Sequence, residues 1–395
     1  MSLQRVALGW LVMALATGLA EGQWNDGAVQ VHGFFTQGYA ISDQNNYLTM
    51  NTSKGTAQMT DGGLNLSWKI NAKLRVGAQV YDRYIGELGK GQATLDWALV
   101  DYHFRDWLGF RAGKVKTPLG LFTEAQDQEF LYTWALLPQA TYPLDLRETS
   151  NAHVGGDVYG SFGMKGRGVL SYQLYAGRVP ADYRTGFYYG VQDAGYKNVT
   201  YETRTAGFDL RWTTPVSGLM AGISQSFGQR DSTGMLPGFP LPATAKTYLD
   251  RTTAVYAEFS RGRWRLDGEW RTNKQLTRIF GLPPPFSMTG QTAHPWFAAF
   301  SYRVSRLLEV GAYHSQFRYK TLFALPGLTD PGGRIDDTTV TLRLDPTSFW
   351  NFKIEGHFMD GFGSLLTARG FYARNNPQGL QPTTNMLVLR TGFSF

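Results

Sequence analysis

The stretch Asn385-Met-Leu-Val-Leu-Arg-Thr-Gly-Phe-Ser-Phe395 alternates without a break. Leu387, Leu389, Thr391, Phe393 and Phe395 fall on one face of an extended strand. Met386, Val388, Arg390, Gly392 and Ser394 fall on the other. A repeat of two marks a strand with one apolar face. Followed backwards, the same alternation recurs as far as Val29, interrupted by connections of two kinds. Asn71-Ala72, Arg105-Asp106, Lys165-Gly166, Thr214-Pro215, Gly262, Val304-Ser305-Arg306 and Pro346-Thr347 are tight turns, rich in Gly, Pro, Asn and Ser. Between them run polar loops at 41–60, 85–92, 117–151, 179–201, 229–249, 275–293, 319–333 and 362–383.

Short turns alternating with long loops over about sixteen strands predict an all-β fold, a transmembrane antiparallel up-and-down β-barrel. An even strand number puts both termini on the short-turn side and lets the last strand close against the first. Closure removes sheet edges, whose unpaired N–H and C=O groups are expensive in lipid. A terminal strand ending on an aromatic residue resembles those of bacterial outer-membrane β-barrels. That resemblance implies an outer-membrane location and makes Phe395 an assembly signal.

Composition agrees. Charged residues make up 17% of the chain, below the roughly 25% usual in soluble proteins, while aromatic residues reach 14%. Residues 1–20 read as a secretory signal peptide: a basic start at Met1–Arg5, an apolar run from Val6 to Leu19, and small residues in Gly18-Leu-Ala20. That run is short for a membrane span, which needs about 20 residues. Residues 21–395 are then one barrel domain. The absence of cysteine excludes a disulfide framework, a thiolate metal site and covalent haem. A net charge of +7 is too small an excess to argue for nucleic acid.

Alternation assigns the faces. Leu64, Leu66 and Trp68, Phe208, Leu210 and Trp212, Trp264 and Leu266, and Trp350, Phe352 and Ile354 are expected to face lipid. Trp68, Trp212, Tyr302, Trp350 and Phe395 sit near the turn-side ends, as an interfacial girdle would. The opposite face carries Arg75, Arg83, Arg111, Arg211, Arg265, Arg271, Arg343 and Lys353 as pore-lining bases. Asp96, Asp157, Asp209, Glu258, Asp267, Glu269, Glu309, Asp337 and Glu355 lie among them. Unpaired charge is prohibitive in a dry core, so a water-filled lumen is expected. With Lys69, Lys73, Arg263, Arg303 and Arg390 also inward, thirteen bases outnumber nine acids, which predicts a weak anion preference. Broken alternation near Leu99–Val100 and His314–Ser315 predicts bulges there.

The longest loop, 117–151, begins from Phe110-Arg-Ala-Gly113-Lys114-Val-Lys116-Thr-Pro118-Leu-Gly120-Leu. Pro118 cannot donate to a ladder and ends the strand. The loop then carries Glu124, Asp127 and Glu129, and an apolar stretch from Phe130 to Leu137. A loop this long is usually functional, and burying its apolar side chains in the barrel mouth makes it a constriction loop folded inward.

The run Gly113, Lys114, Lys116, Pro118 and Gly120, with Glu124 and a later Tyr142-Pro143, resembles the phosphate-selective porin family. The resemblance implies a sixteen-stranded trimeric outer-membrane porin, and so a homotrimer. It does not extend to phosphate selectivity, because the loop holds Glu124, Asp127, Glu129, Asp145 and Glu148 against the lone base Arg147. The expected function is passive diffusion of small hydrophilic solutes or ions, with outer-membrane lipid as the surrounding partner. The alternative is a non-conducting sheath around a periplasmic partner such as an electron-transfer cytochrome. No enzyme motif is present, no cofactor is implied, and the six histidines show no metal-ligand spacing.

Overall fold

The structure, a computed structural model, describes residues 28–181, 186–193, 195–235, 237, 238, 241–282, 284, 287–321, 332–363, 370–376 and 378–395. The expected signal peptide lies outside them. Seventeen strand segments form one antiparallel sheet. They are β1 Val29–Ser42, β2 Thr56–Lys69, β3 Leu74–Ile85, β4 Thr94–Arg105, β5 Leu108–Lys116, β6 Ala152–Met164, β7 Gly168–Val179, β8 Lys197–Thr213 and β9 Leu219–Met235. After them come β10 Pro242–Arg261, β11 Trp264–Phe280, β12 Met288–Ala293, β13 Trp296–Arg303, β14 Leu308–Thr321, β15 Arg334–Thr347, β16 Trp350–Gly361 and β17 Thr383–Ser394. β12 and β13 both pair with β11 and β14, so they are two parts of one barrel strand interrupted at His294-Pro295. Pro295 has no N–H to give the ladder, and its carbonyl accepts from Arg271 N at 2.8 Å. The result is a closed sixteen-stranded barrel.

Closure is made by β1 against β17, in register from Phe34↔Ser394 to Ser42↔Met386. Gly33 and Phe395 then exchange both backbone hydrogen bonds at 3.0 Å. A Cβ on Gly33 would stand 2.4 Å from the Phe395 ring, so the glycine is the space into which the terminal aromatic folds. Leu64, Leu66, Trp68, Trp212, Trp264, Leu266, Trp350 and Ile354 are exposed on the outer face, as the alternation predicts. Among the described residues no helix is long and apolar enough to cross a membrane.

Three expectations need correction. Stretches read as the loops 229–249 and 275–293 are largely strand: β9, β10 and β11 run on to Met235, from Pro242 and to Phe280. Polar alternation such as Thr233, Ser232 and Lys246 carries a strand beyond the membrane without an apolar face. The bulge in β4 lies at Asp96, where the register with β3 shifts between Gln79 and Val80, and not at Leu99–Val100. β14 is regular through His314 and Ser315, which stand opposite Thr338 and Asp337.

Part of the interior is packed rather than open. Arg83, Arg271, Arg343, Lys353, Glu269 and Glu355 are all buried. One apolar cluster joins Leu121, Phe122, Tyr132, Trp134 and Tyr142 to the wall residues Tyr256, Phe297, Ala299 and Tyr313. Another gathers Ala135 and Leu136 with Met59, Met359, Met386 and Val388.

Candidate site: the barrel interior and the segment 117–151

β5 ends at Lys116, and the next strand begins at Ala152. Gly113 has φ +129°, and a Cβ there would meet the Ala98 carbonyl at 2.3 Å. Gly120 has φ +80° and sits against Glu269 and Arg271, with no room for a side chain. The segment between the strands forms short 3-10 turns at Thr123–Ala125, Glu129–Leu131 and Leu144–Thr149.

Charged wall side chains hold this segment largely by its backbone. Glu269 accepts from Leu121 N at 2.8 Å, and Ser224 Oγ accepts from Gly120 N at 2.8 Å. Arg271 donates to the Leu119 carbonyl at 3.2 Å. Arg343 donates to the carbonyls of Phe130 (3.0 Å) and Tyr132 (2.6 Å). Lys353 donates to those of Glu129 (2.8 Å) and Trp134 (2.9 Å). Glu355 accepts from Ala135 N and Leu136 N at 2.8 and 2.9 Å, and Arg390 donates to the Ala135 carbonyl at 2.7 Å. Arg83 donates to the Leu144 carbonyl at 2.6 Å and pairs with Glu148 at 2.7 Å. These bonds reach β3, β9, β11, β15, β16 and β17, strands on opposite sides of the barrel. Most of them satisfy a buried backbone group that water would otherwise serve.

The three acids expected at the constriction, Glu124, Asp127 and Glu129, are all paired. Glu124 meets Arg211 at 3.2 Å. Asp127 meets Lys116 at 2.7 Å and accepts from Gln79 at 2.5 Å. Glu129 forms an ion pair with Lys353. Burial alone would raise the Glu129 carboxyl, but Lys353, Arg390 and Arg343 outweigh it and hold the group below its ordinary range. Asp145 goes the other way: burial, helped by Glu148 and opposed by Arg83, lifts its carboxyl to about 6.

Apart from Glu124 with Arg211 and Glu129 with Lys353, the pore-lining bases take different carboxylates. Arg75 pairs with Asp101 and Arg111 with Asp157, both at 2.9 Å. Arg271 pairs with Glu269, and Arg343 with Asp345 at 2.8 Å. Arg265 holds Asp267 and Glu258, each at 2.9 Å. In several of these pairs the cation is the exposed partner. Side-chain exposure is 52% for Arg75 against 11% for Asp101, 30% for Arg211 against 5% for Asp209, and 31% for Arg265 against 3% for Asp267. Lys114 stands opposite Ala98 and Val154 on the outer face, and its Nζ donates to the Leu95 carbonyl at 2.5 Å. It is therefore not part of the interior.

Sequence reasoning placed Glu269, Glu309 and Glu355 inward but gave them no role. It named Arg147 only as the loop's lone base and did not foresee its burial or its pairing with Asp96 at 3.0 Å. It also missed the seats: a Cβ on Gly311 would stand 2.7 Å from the Trp134 ring, and one on Gly392 would stand 2.6 Å from Glu129 Oε2. Small residues at inward positions were the available signal. A cavity of about 590 Å³ borders Asp96, Arg147, Glu148 and Asn151, and one of about 460 Å³ borders Phe130, Arg306, Arg343 and Asp345. Among the described residues no group of His, Asp or Glu is arranged to hold a metal ion.

A closed antiparallel barrel of sixteen strands, apolar outside and charged inside, is a bacterial outer-membrane β-barrel. No family model matches this sequence, and no curated protein matches it either. Solved structures do match in shape. A loop L8 deletion mutant of OmpT, an outer membrane protein of Vibrio cholerae, has a TM-score of 0.55 at 12% identity, covering 93% of this chain and 99% of that one. The outer membrane channel DcaP of Acinetobacter baumannii has a TM-score of 0.55 at 10% identity, over 94% and 99%. The anion-selective porin from Comamonas acidovorans has a TM-score of 0.54 at 11% identity, over 93% and 99%. At these identities the likeness is one of fold.

Proposed function

We propose that the protein is a porin, a passive channel for small hydrophilic solutes with a weak preference for anions. Residues 117–151 fold into the lumen as its constriction. The carrying observation is the unequal exposure of the wall ion pairs. Arg75 offers its guanidinium to the lumen while Asp101 lies beneath. Arg211 and Arg265 cover Asp209 and Asp267 in the same way, though each also meets an acid about as exposed as itself, Glu124 and Glu258. A passing ion interacts more with the exposed partner, because the buried one is farther away and partly neutralised. A channel and an anion-selective porin among the structural neighbours fit this reading. The resemblance to phosphate-selective porins stays with fold, pore and trimeric assembly, since Glu124, Asp127 and Glu129 are engaged at the constriction.

On this reading residues 1–20 direct secretion, Phe395 serves assembly, and the protein is not an enzyme. The wall-to-segment bonds weigh against the sheath alternative, because the chain's own segment takes the space a partner would need. Planar-bilayer recording of the purified protein tests the proposal. Discrete conductance steps, with a reversal potential displaced towards the anion in a salt gradient, are expected. A barrel that inserts and conducts nothing overturns it.

A further inference from the structure

The outer face carries a cationic band that the channel does not use. Arg261 closes β10 beside its short turn, opposite Trp264. Above it the outward residues on β7, β8, β10 and β11 are uncharged across the apolar belt, with Leu174, Trp212, Val255 and Trp270 exposed among them. The first charged outward residues above that belt are Arg178, Arg204, Arg251 and Lys274, all exposed. From Trp212 to Arg204 the strand advances roughly 26 Å at ~3.3 Å per residue. That is about 20 Å along the membrane normal at a ~40° tilt, the upper edge of an apolar belt about 25 Å tall. These positions lie towards the long loops, the external side.

Register makes the band unusual. Arg178 stands directly opposite Arg204, and Arg251 directly opposite Lys274. Further out, Lys246 stands between Arg278 on β11 and Asp231 on β9, so a carboxylate answers that crowding. Like charges directly across two strands destabilise a sheet. The barrel shows elsewhere how it answers such crowding. Lys353 stands opposite both Arg343 and Arg390, and Glu129, Asp345 and Asp61 neutralise the three. Outside, among the described residues, Glu202 alone serves Arg178 and Arg204, at 3.2 and 3.5 Å. Among the described residues neither Arg251 nor Lys274 has an ion-pair partner. The missing counter-charge must come from whatever borders this face, and at that height it is the headgroup layer of the outer leaflet.

We propose that Arg178, Arg204, Arg251 and Lys274 form a binding site for the phosphate groups of a phosphorylated glycolipid of the outer leaflet. The acyl chains would lie on the apolar strip below. Arginine forks and a lysine ammonium suit phosphate oxygens, and the site fixes lipid on one side of the barrel.

The test uses the whole purified barrel in a zwitterionic detergent, with bis-phosphorylated lipid A as probe and bound lipid read by native mass spectrometry. Each basic residue near an anionic surface contributes about 1 kcal/mol, so R251Q/K274Q should weaken lipid A binding by at least about tenfold. The same charge removed at a short turn, K165Q/R167Q, should leave binding unchanged. Dephosphorylated lipid A should bind as weakly to the native barrel as lipid A does to R251Q/K274Q. Unchanged binding by R251Q/K274Q overturns the proposal, as does equal loss in the turn variant. Inorganic phosphate bound as tightly as the lipid overturns the lipid assignment. Heat-modifiable migration and unaltered conductance of R251Q/K274Q show that folding and the pore are intact.

Discussion

Two arcs of the same wall use the same chemistry to opposite ends. On β15, β16 and β17 the charges are buried, and they spend their hydrogen bonds on the backbone of residues 129–136. At Arg75, Arg211 and Arg265, on β3, β8 and β11, the guanidiniums pair with wall carboxylates and remain partly exposed, and Arg211 also pairs with the segment, at Glu124. The first arc fastens a segment, and the second makes a field. The difference lies in what each carboxylate can reach. Glu355 accepts two segment N–H groups, whereas Asp101 and Asp157 meet Arg75 and Arg111 on neighbouring strands.

The sharpest way to break this contrast is to remove what the first arc holds. Replacing residues 120–149 with a short polar linker should raise single-channel conductance several-fold in a correctly assembled barrel. Unchanged conductance would place the segment outside the conduction path. The next effect in size is on the fastening itself. Lys353→Met leaves the Glu129 carboxylate and two carbonyls buried without their cation, a loss of about 3–5 kcal/mol for a broken buried pair. The expected results are a lower unfolding temperature and faster protease cleavage within the segment. Adding Glu129→Gln should restore part of the loss. No rescue would show that Lys353 acts through the carbonyls alone.

Arg83 separates the arcs. Read from sequence it is one more pore-lining base, yet it is buried and bonded to Leu144 and Glu148. Arg83→Glu should therefore loosen the segment, where Arg211→Gln with Arg265→Gln should change selectivity at a smaller cost in stability than Lys353→Met, because these cations are partly exposed. A unit charge about 6 Å away in water is worth about 0.7 kcal/mol, close to threefold in an ion's occupancy. The double variant should shift the reversal potential towards cations by a comparable permeability ratio at 0.1 M salt. The shift should fade at 1 M, where the Debye length falls to about 3 Å. An equal shift at both salt concentrations would count against a wall field.

The barrel was legible because its evidence is periodic. Every strand repeats the Leu387–Phe395 pattern, and lipid punishes any break in it. The segment's path was less so. Glu129 and Lys353 are 224 residues apart, numbered 129 and 353, and nothing local in either stretch names the other. Inwardness of Lys353 follows from alternation, but its choice of Glu129 and two carbonyls depends on a path that only the folded segment has. The extended β9–β11 hairpins were hidden for a different reason. Above the membrane a polar strand and a polar loop have the same composition, and only register separates them.

The smallest expected effect concerns pH. Burial lifts the Asp145 carboxyl to about 6 from an ordinary value of 3.8. The docked segment therefore binds this proton more tightly than an undocked one does. By linkage, the stabilisation is fully present below the ordinary value and is lost as pH rises through about 6. Docking should be firmer at pH 5 than at pH 7.5, because the carboxylate formed at the higher pH is desolvated and sits near Glu148. In bilayers this predicts quieter, slightly smaller current steps at the lower pH, with the change centred near 6. Asp145→Asn mimics the protonated group, so the variant should behave at pH 7.5 as the native chain does at pH 5 and should lose the transition. If the transition survives in Asp145→Asn, another group carries it.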